Sequence, residues 1–300
     1  MHKLACPKCH QALIQEGNSY KCINNHCYDI AKSKYINLLL NPDKASNNPG
    51  DSKESLQARK AYLTKGYYDI ILNNVISLIN KYQNNQQLEI LDLGCGEGYY
   101  DGILNEVMHC LTKYTSSPRQ LLDLGCGEGY YTYRIKELLN DDSTIYGLDI
   151  SKEAINMATK YTKDIYWIVG NSKNIPILDH SLDFITALFT VVNQKELERT
   201  LKPGGYIIHV TANPNHLIEI KELIYDEIKV KSDKYIRLDF KNVESFDLVK
   251  TIEIPNREDA LNLLKMTPHY YHIKKERRSV LDTLDKLNVT IDVKITVYQV

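Results

Sequence analysis

Short apolar runs take turns with amphipathic stretches along the second half of the chain. Gln120-Leu121-Leu122-Asp123-Leu124 is almost wholly apolar, as a strand buried on both faces requires. Tyr130 to Leu139 then reads as a helix, and Thr144-Ile145-Tyr146-Gly147-Leu148-Asp149 as a second strand. Tyr166–Val169 reads as a third strand and Leu182–Leu188 as a fourth; Leu201-Lys202-Pro203-Gly204-Gly205 turns into a fifth, Tyr206–Val210. Strands alternating with helices predict an α/β fold built on a doubly wound sheet.

One block of this pattern occurs twice. Leu91-Asp92-Leu93-Gly94-Cys95-Gly96-Glu97-Gly98-Tyr99-Tyr100 returns as Leu122-Asp123-Leu124-Gly125-Cys126-Gly127-Glu128-Gly129-Tyr130-Tyr131. Upstream, Ile71, Leu72, Val75, Ile79 and Tyr82 correspond to Ile103, Leu104, Val107, Leu111 and Tyr114, at helical spacing. Each copy reads as amphipathic helix, buried strand and glycine loop. Two copies are too few for a solenoid, so 67–98 is a tandem duplication of 99–129 inside one domain.

The first 40 residues have a different character. Cys6-Pro7-Lys8-Cys9 is followed by Cys22, His26 and Cys27. A Cys-x2-Cys pair turns two thiolates toward one metal, and a second pair of ligands closes a tetrahedron. Zinc suits a mixed sulfur and nitrogen shell and supplies folding energy to a segment too short for its own core. Cys6, Cys9 and Cys22 fill three places; the Cys22-x3-His26 spacing favours His26 over Cys27 for the fourth. A filled shell makes the zinc structural. Linker composition from Asn41 to Ser52 divides the chain into a zinc module, 1–40, and a larger domain, 41–300.

Net charge is -1, but Met1–Gly66 holds ten Lys and Arg against five Asp and Glu. A basic N-terminal portion fits contact with phosphates and equally fits a solvated face. No apolar run reaches the length of a membrane span and the start lacks a signal peptide's apolar stretch, so a cytoplasmic protein without a membrane partner is expected. Whether it forms a homodimer is left open.

The chemistry concentrates at the second glycine loop. Gly125-x-Gly127-x-Gly129 lets the backbone turn sharply and approach a cofactor. Asp149 ends the next strand, 24 residues past Gly125, where a carboxylate accepts both ribose hydroxyl protons. The triplet is one residue tighter than the dinucleotide fingerprint and, with Leu201–Gly205, is similar to the class I methyltransferases, so the expected fold is their Rossmann-like sheet with a small N-terminal zinc module. The first loop has no such acid, because the matching residue, Asp123, is committed to the second. Asn171, after the third strand, joins the candidate cofactor contacts.

Taken together, these residues resemble the bacterial 23S ribosomal RNA guanine-N1 methyltransferases of the RlmA type. The likeness covers nearly the whole chain: Cys6-Pro7-x-Cys9-His10, Cys22 with His26, Pro49-Gly50-Asp51-Ser52, Gln57-Ala58-Arg59, the loop Leu122–Tyr131, Gly147-Leu148-Asp149, Lys202–Gly205, His216-Leu217 and Met266-Thr267-Pro268. It implies S-adenosylmethionine as cofactor, zinc on Cys6, Cys9, Cys22 and His26, and cofactor contacts at Tyr68 or its copy Tyr100, at Gly127-Glu128 and at His216. The implied substrate is a guanine N1 in a 23S ribosomal RNA hairpin, with no catalytic residue identified. Two departures stand out: the family has one glycine loop, and Thr190-Val191-Val192 replaces the Ala-Pro that follows its fourth strand. The competing readings are a small-molecule methyltransferase and a non-catalytic RNA-binding protein inactivated by the duplication.

Overall fold

The computed structural model describes residues 2–41, 49–83, 119–138, 143–228, 238–274, 276, 279, 281 and 284–300. It opens with an antiparallel ribbon, β1 (Ile14–Glu16), β2 (Ser19–Lys21) and β3 (Cys27–Asp29). Residues 17 and 18 make the turn between β1 and β2, and Gly17 takes a φ of +62° there, which a side chain would disfavour. The next strand, β4 (Tyr35–Asn37), leaves the ribbon and forms one edge of an eight-stranded sheet.

Two helices follow, α1 (Lys53–Leu63) and α2 (Asp69–Gln83). Ser52 caps α1 by accepting from the Ser55 N–H at 3.1 Å. Alternating elements then run β5 (Gln120–Leu124), α3 (Tyr130–Leu138), β6 (Thr144–Asp149), α4 (Lys152–Ala158), β7 (Tyr166–Val169), β8 (Leu182–Leu188), α5 (Gln194–Thr200) and β9 (Leu201–Ala212). The described residues end with α6 (Ile218–Ile224), β10 (Lys241–Ile254), α7 (Arg257–Lys265) and β11 (Leu287–Gln299).

The sheet order is β10-β11-β9-β8-β5-β6-β7-β4. Strands β4 to β9 pair in parallel, and β11 and β10 close the far edge antiparallel. This is the doubly wound α/β sheet expected from the sequence. Its strands read as unbroken apolar runs because both faces are covered. Leu121 points into one core, with α2, while Leu122 and Leu124 point into the other.

That second core also holds Leu4, Leu13 and Tyr20 of the ribbon. The ribbon is tied down by Lys3, whose N–H donates to the Tyr146 hydroxyl at 2.7 Å, and by a bridge from Leu4 to Ile177. Residues 1–40, read from the sequence as one module, therefore divide in space. The ribbon lies on one face of the large sheet, and β4 pairs with β7, Tyr35 opposite Trp167. Truncating fully buried Leu4 to alanine would cost about 2–5 kcal/mol.

Both copies of the repeat contribute described elements. Helix α2 comes from the first copy, and its Ile71, Leu72, Val75, Leu78 and Ile79 are all buried. Strand β5 and its glycine loop come from the second. The first-copy loop 94–98 and Tyr100 lie outside the described residues. Deleting residues 84–114, which joins α2 to the stretch before β5 and removes one repeat, is therefore expected to leave the protein folded. The check is thermal denaturation, where the melting temperature should move by less than about 3 °C; collapse of the cooperative transition would show that the removed repeat belongs to the core.

Candidate cofactor site and zinc centre

The zinc residues converge as their spacing predicts. The Nδ1 of His26 lies 3.4 Å from Cys6 Sγ, 3.5 Å from Cys9 Sγ and 3.4 Å from Cys22 Sγ, and Cys9 and Cys22 are 3.7 Å apart. Zinc bonds of about 2.3 Å to sulfur and about 2.0 Å to nitrogen make tetrahedral edges of about 3.8 and 3.5 Å. The four residues fit that ion. Cys27 is exposed on β3, outside the cluster. The Tyr28 hydroxyl lies 3.2 Å from Cys6 Sγ, a polar neighbour for a thiolate.

The second site forms where β5 hands over to α3. Gly125, Gly127 and Gly129 all have positive φ, at +75°, +59° and +86°. A Cβ on Gly125 would meet Thr190 Oγ1 at 2.4 Å, and one on Gly129 would meet Ala158 and Trp167 at 2.7 Å. A Cβ on Gly127 would meet the far end of the Arg59 side chain, Nη1, at 3.0 Å. The loop is fastened to β6: Asp149 accepts from the Gly127 N–H at 3.0 Å and from the Ser151 N–H at 2.8 Å. Burial pushes the Asp149 carboxyl upward.

A cavity of about 650 Å³ opens above this loop, walled by the ends of β5, β6, β8 and β9. It sits where β6 and β8 leave β5 on opposite sides, the switch point at which doubly wound sheets bind ligands. Tyr68, Gly125, Gly127, Glu128, Asp149 and His216 line it. Gly129 instead serves packing, and Asn171 lies away from the cavity, its Oδ1 accepting from the Lys173 N–H.

Tyr68 is delivered by the turn before α2. Its neighbour Tyr67 donates to buried Asp259 at 2.7 Å, and Lys65 pairs with the same carboxylate. His216 reaches the cavity from the stretch after β9. Its Nδ1 accepts from the Asp292 N–H at 3.2 Å, so Nε2 carries the proton and donates to the Tyr68 hydroxyl at 3.3 Å. Burial lowers its pKa to about 4, leaving a neutral ring.

Other lining residues carried no signal of function in the sequence. Phe189 follows β8 at a φ of +55° and stacks on the His216 ring with centroids 5.6 Å apart. His209, Thr211 and His269 also face in.

Residues 115–265, half of the chain, match the family model described as a methyltransferase domain. The chain belongs to this methyltransferase family. The match takes in the second glycine loop and starts after the first. Residues 4–47 match the RlmA N-terminal zinc ribbon. Among curated relatives, a Bacillus subtilis (strain 168) protein named provisionally as the 23S rRNA (guanine-N(1)-)-methyltransferase YxjB is 27% identical, covering 97% of this chain and 95% of its own length. The 23S rRNA (guanine(748)-N(1))-methyltransferase of Streptomyces fradiae is 24% identical over 98% of this chain and 95% of itself. Demethylmenaquinone methyltransferase of Geobacillus sp. (strain WCH70) is 25% identical, but over only 45% of this chain and 63% of its own length.

S-adenosylmethionine is the cofactor of this domain, and the cavity suits it. Asp149 ends β6 at the cavity wall, and Glu128 carries a buried Oε2 with no hydrogen-bond partner. Burial raises the Glu128 carboxyl to about 7. A cofactor bearing sulfonium and ammonium charge favours the ionised carboxylate, so its binding lowers that pKa and releases protons. Calorimetry near pH 7 in buffers of different protonation enthalpy should show release of up to about one proton, with affinity rising as pH climbs through that range. Glu128→Gln should abolish the release; an unchanged proton count would assign it elsewhere.

The zinc centre gives a separate expectation. None of its ligands lines the cavity. Metal analysis should find one zinc per chain, and chelation should lower the melting temperature by about 5 °C or more while open proteolytic sites appear within residues 4–30. Cofactor binding should survive. Its loss with the zinc would mean that the ribbon shapes the cavity.

Proposed function

We propose that the chain transfers a methyl group from S-adenosylmethionine to N1 of a guanine in a 23S ribosomal RNA hairpin. The observation that carries this reading is the joining of a zinc ribbon to a methyltransferase sheet through a shared core. Relatives named for guanine-N1 methylation of 23S rRNA match through both parts, whereas the demethylmenaquinone enzymes match less than half of the chain. That contrast favours an RNA over a small molecule, and it suits the excess of Lys and Arg in Met1–Gly66.

When bound, S-adenosylmethionine supplies the methyl group on an electrophilic sulfonium. The chain supplies alignment, which governs an in-line displacement. Tyr68 and His216 hold one wall of the cavity rigid through their mutual hydrogen bond. Phe189 and Val191 present exposed apolar surface at the mouth, where the flat face of an unstacked base can rest. The N1 proton of guanine needs an acceptor. His216 does not serve, because both of its nitrogens are engaged. His209 and His269 remain as lining imidazoles that burial keeps neutral.

The decisive experiment offers isotopically labelled cofactor and unmodified 23S ribosomal RNA, then identifies the product nucleoside by mass spectrometry. N1-methylguanosine at a single position is the expected result. Label on a different base or atom would replace the guanine-N1 assignment, and bound cofactor without any labelled RNA would sink the enzyme reading.

A further inference from the structure

The cavity holds a pattern of charge that the roles above leave unused. Arg59, on α1, contributes the sole Lys or Arg side chain among the described lining residues, against the carboxylates of Asp51, Asp123, Glu128 and Asp149. Its Nη2 pairs with Asp51 at 2.8 Å, and 31% of its side chain stays open. Its Nη1 lies over Gly127, 3.0 Å from where a Cβ on that glycine would stand. Two buried polar atoms beside it, Glu128 Oε2 and the Tyr131 hydroxyl, have no hydrogen-bond partner. Buried polar groups left unpaired are costly, so a site with two of them is built for a polar ligand.

We propose that Arg59 holds the α-carboxylate at the amino-acid end of the cofactor, exchanging its ion pair with Asp51 for that contact. The inference rests on the methyltransferase reading and goes beyond it by giving the zwitterionic end of the ligand its own subsite. Glu128 Oε2 accepts from the α-ammonium, and the Tyr131 hydroxyl donates to the carboxylate beside the guanidinium. The ligand carries one anionic group, and the wall offers one permanent cation to meet it. Arginine suits the task because its planar fork engages both carboxylate oxygens at once. Asp51 is the displaced partner, and being 43% exposed it is rehydrated when released. The pocket's surplus of carboxylates matches the two positive charges on the rest of the cofactor.

Calorimetry with S-adenosylhomocysteine and its decarboxylated analogue tests this on the full-length, zinc-loaded protein. The wild type is expected to bind the decarboxylated ligand about tenfold to a hundredfold more weakly. Arg59→Gln should bind both ligands equally, at the level the wild type shows for the analogue. Arg59→Lys, which keeps a charge without the fork, should fall between the two and covers the case in which the glutamine variant does not fold. A wild type that fails to discriminate would overturn the inference, as would an Arg59→Gln protein that still discriminates fully. If the wild type binds neither ligand, the cofactor reading itself falls and takes this inference with it.

Discussion

Everything at the centre of this protein depends on a stretch of backbone that has no side-chain volume to spare. From Gly125 to Gly129 the chain reverses out of β5 into α3, and each of its three glycines has a positive φ. The side of Gly125 that a Cβ would occupy is filled by Thr190, and that of Gly129 by Ala158 and Trp167. The loop thereby locks to the end of β8 in one direction and to α4 and β7 in the other. Above Gly127 the neighbour is the far end of the Arg59 side chain, and there the cavity begins. A side chain at the outer glycines would push apart the sheet; one at Gly127 would push into the ligand. The same tightness turns the Gly127 N–H toward Asp149, so the acid at the end of β6 is positioned by the loop that lines the cavity.

This constraint also bears on the described site, which draws on both copies of the repeat. A parallel sheet has a single slot between β6 and β8, and β6 follows the second copy directly through α3. The strand of that copy can enter the slot without a long excursion, which favours it over the first. At the other end, the turn before α2 is held to α7 by Lys65 and Tyr67 on Asp259, so the helix of the first copy is the one already in place. The site is assembled from Tyr68 of one repeat and Gly127 of the other.

What the sequence made legible followed from short-range regularities. The unbroken apolar runs at β5 to β8, the tetrahedral spacing of Cys6, Cys9, Cys22 and His26, and the acid after the second strand all have a local physical cause. Features set by long-range pairing were not legible. Strand β4 is three residues long and becomes a strand through its pairing with β7, 130 or so residues away. Strand β10 went unread because it is an edge whose exposed positions mix apolar Val243 and Val249 with polar and charged residues, so its alternation is blurred. Within the site, Asp149 was readable from its distance to Gly125, while Arg59 entered only as part of the Gln57-Ala58-Arg59 likeness, with no role attached. Its meaning comes from the company of Asp51, Glu128 and Asp149, which no spacing along the chain reveals. Asn171 erred the other way: a polar residue after a strand end, it turned out to bond its own loop.

The loop after β8 reads Thr190-Val191-Val192 and has no proline to preset its backbone. Packing stiffens it instead. The Phe189 N–H donates to the Val210 carbonyl at 2.9 Å, Thr190 fills the hollow of Gly125, and the Phe189 ring rests on His216. A non-glycine residue at a φ of +55° is under strain and persists because its neighbours leave it no alternative. The strain has a use, since it turns an aromatic ring toward the cavity mouth instead of into the core. His216 is in turn held by Asp292 and Tyr68, so the platform under Phe189 is itself immobile. The duplication and the altered loop both leave this wall intact, which argues for a working methyl-transfer site over a relic that keeps only the fold.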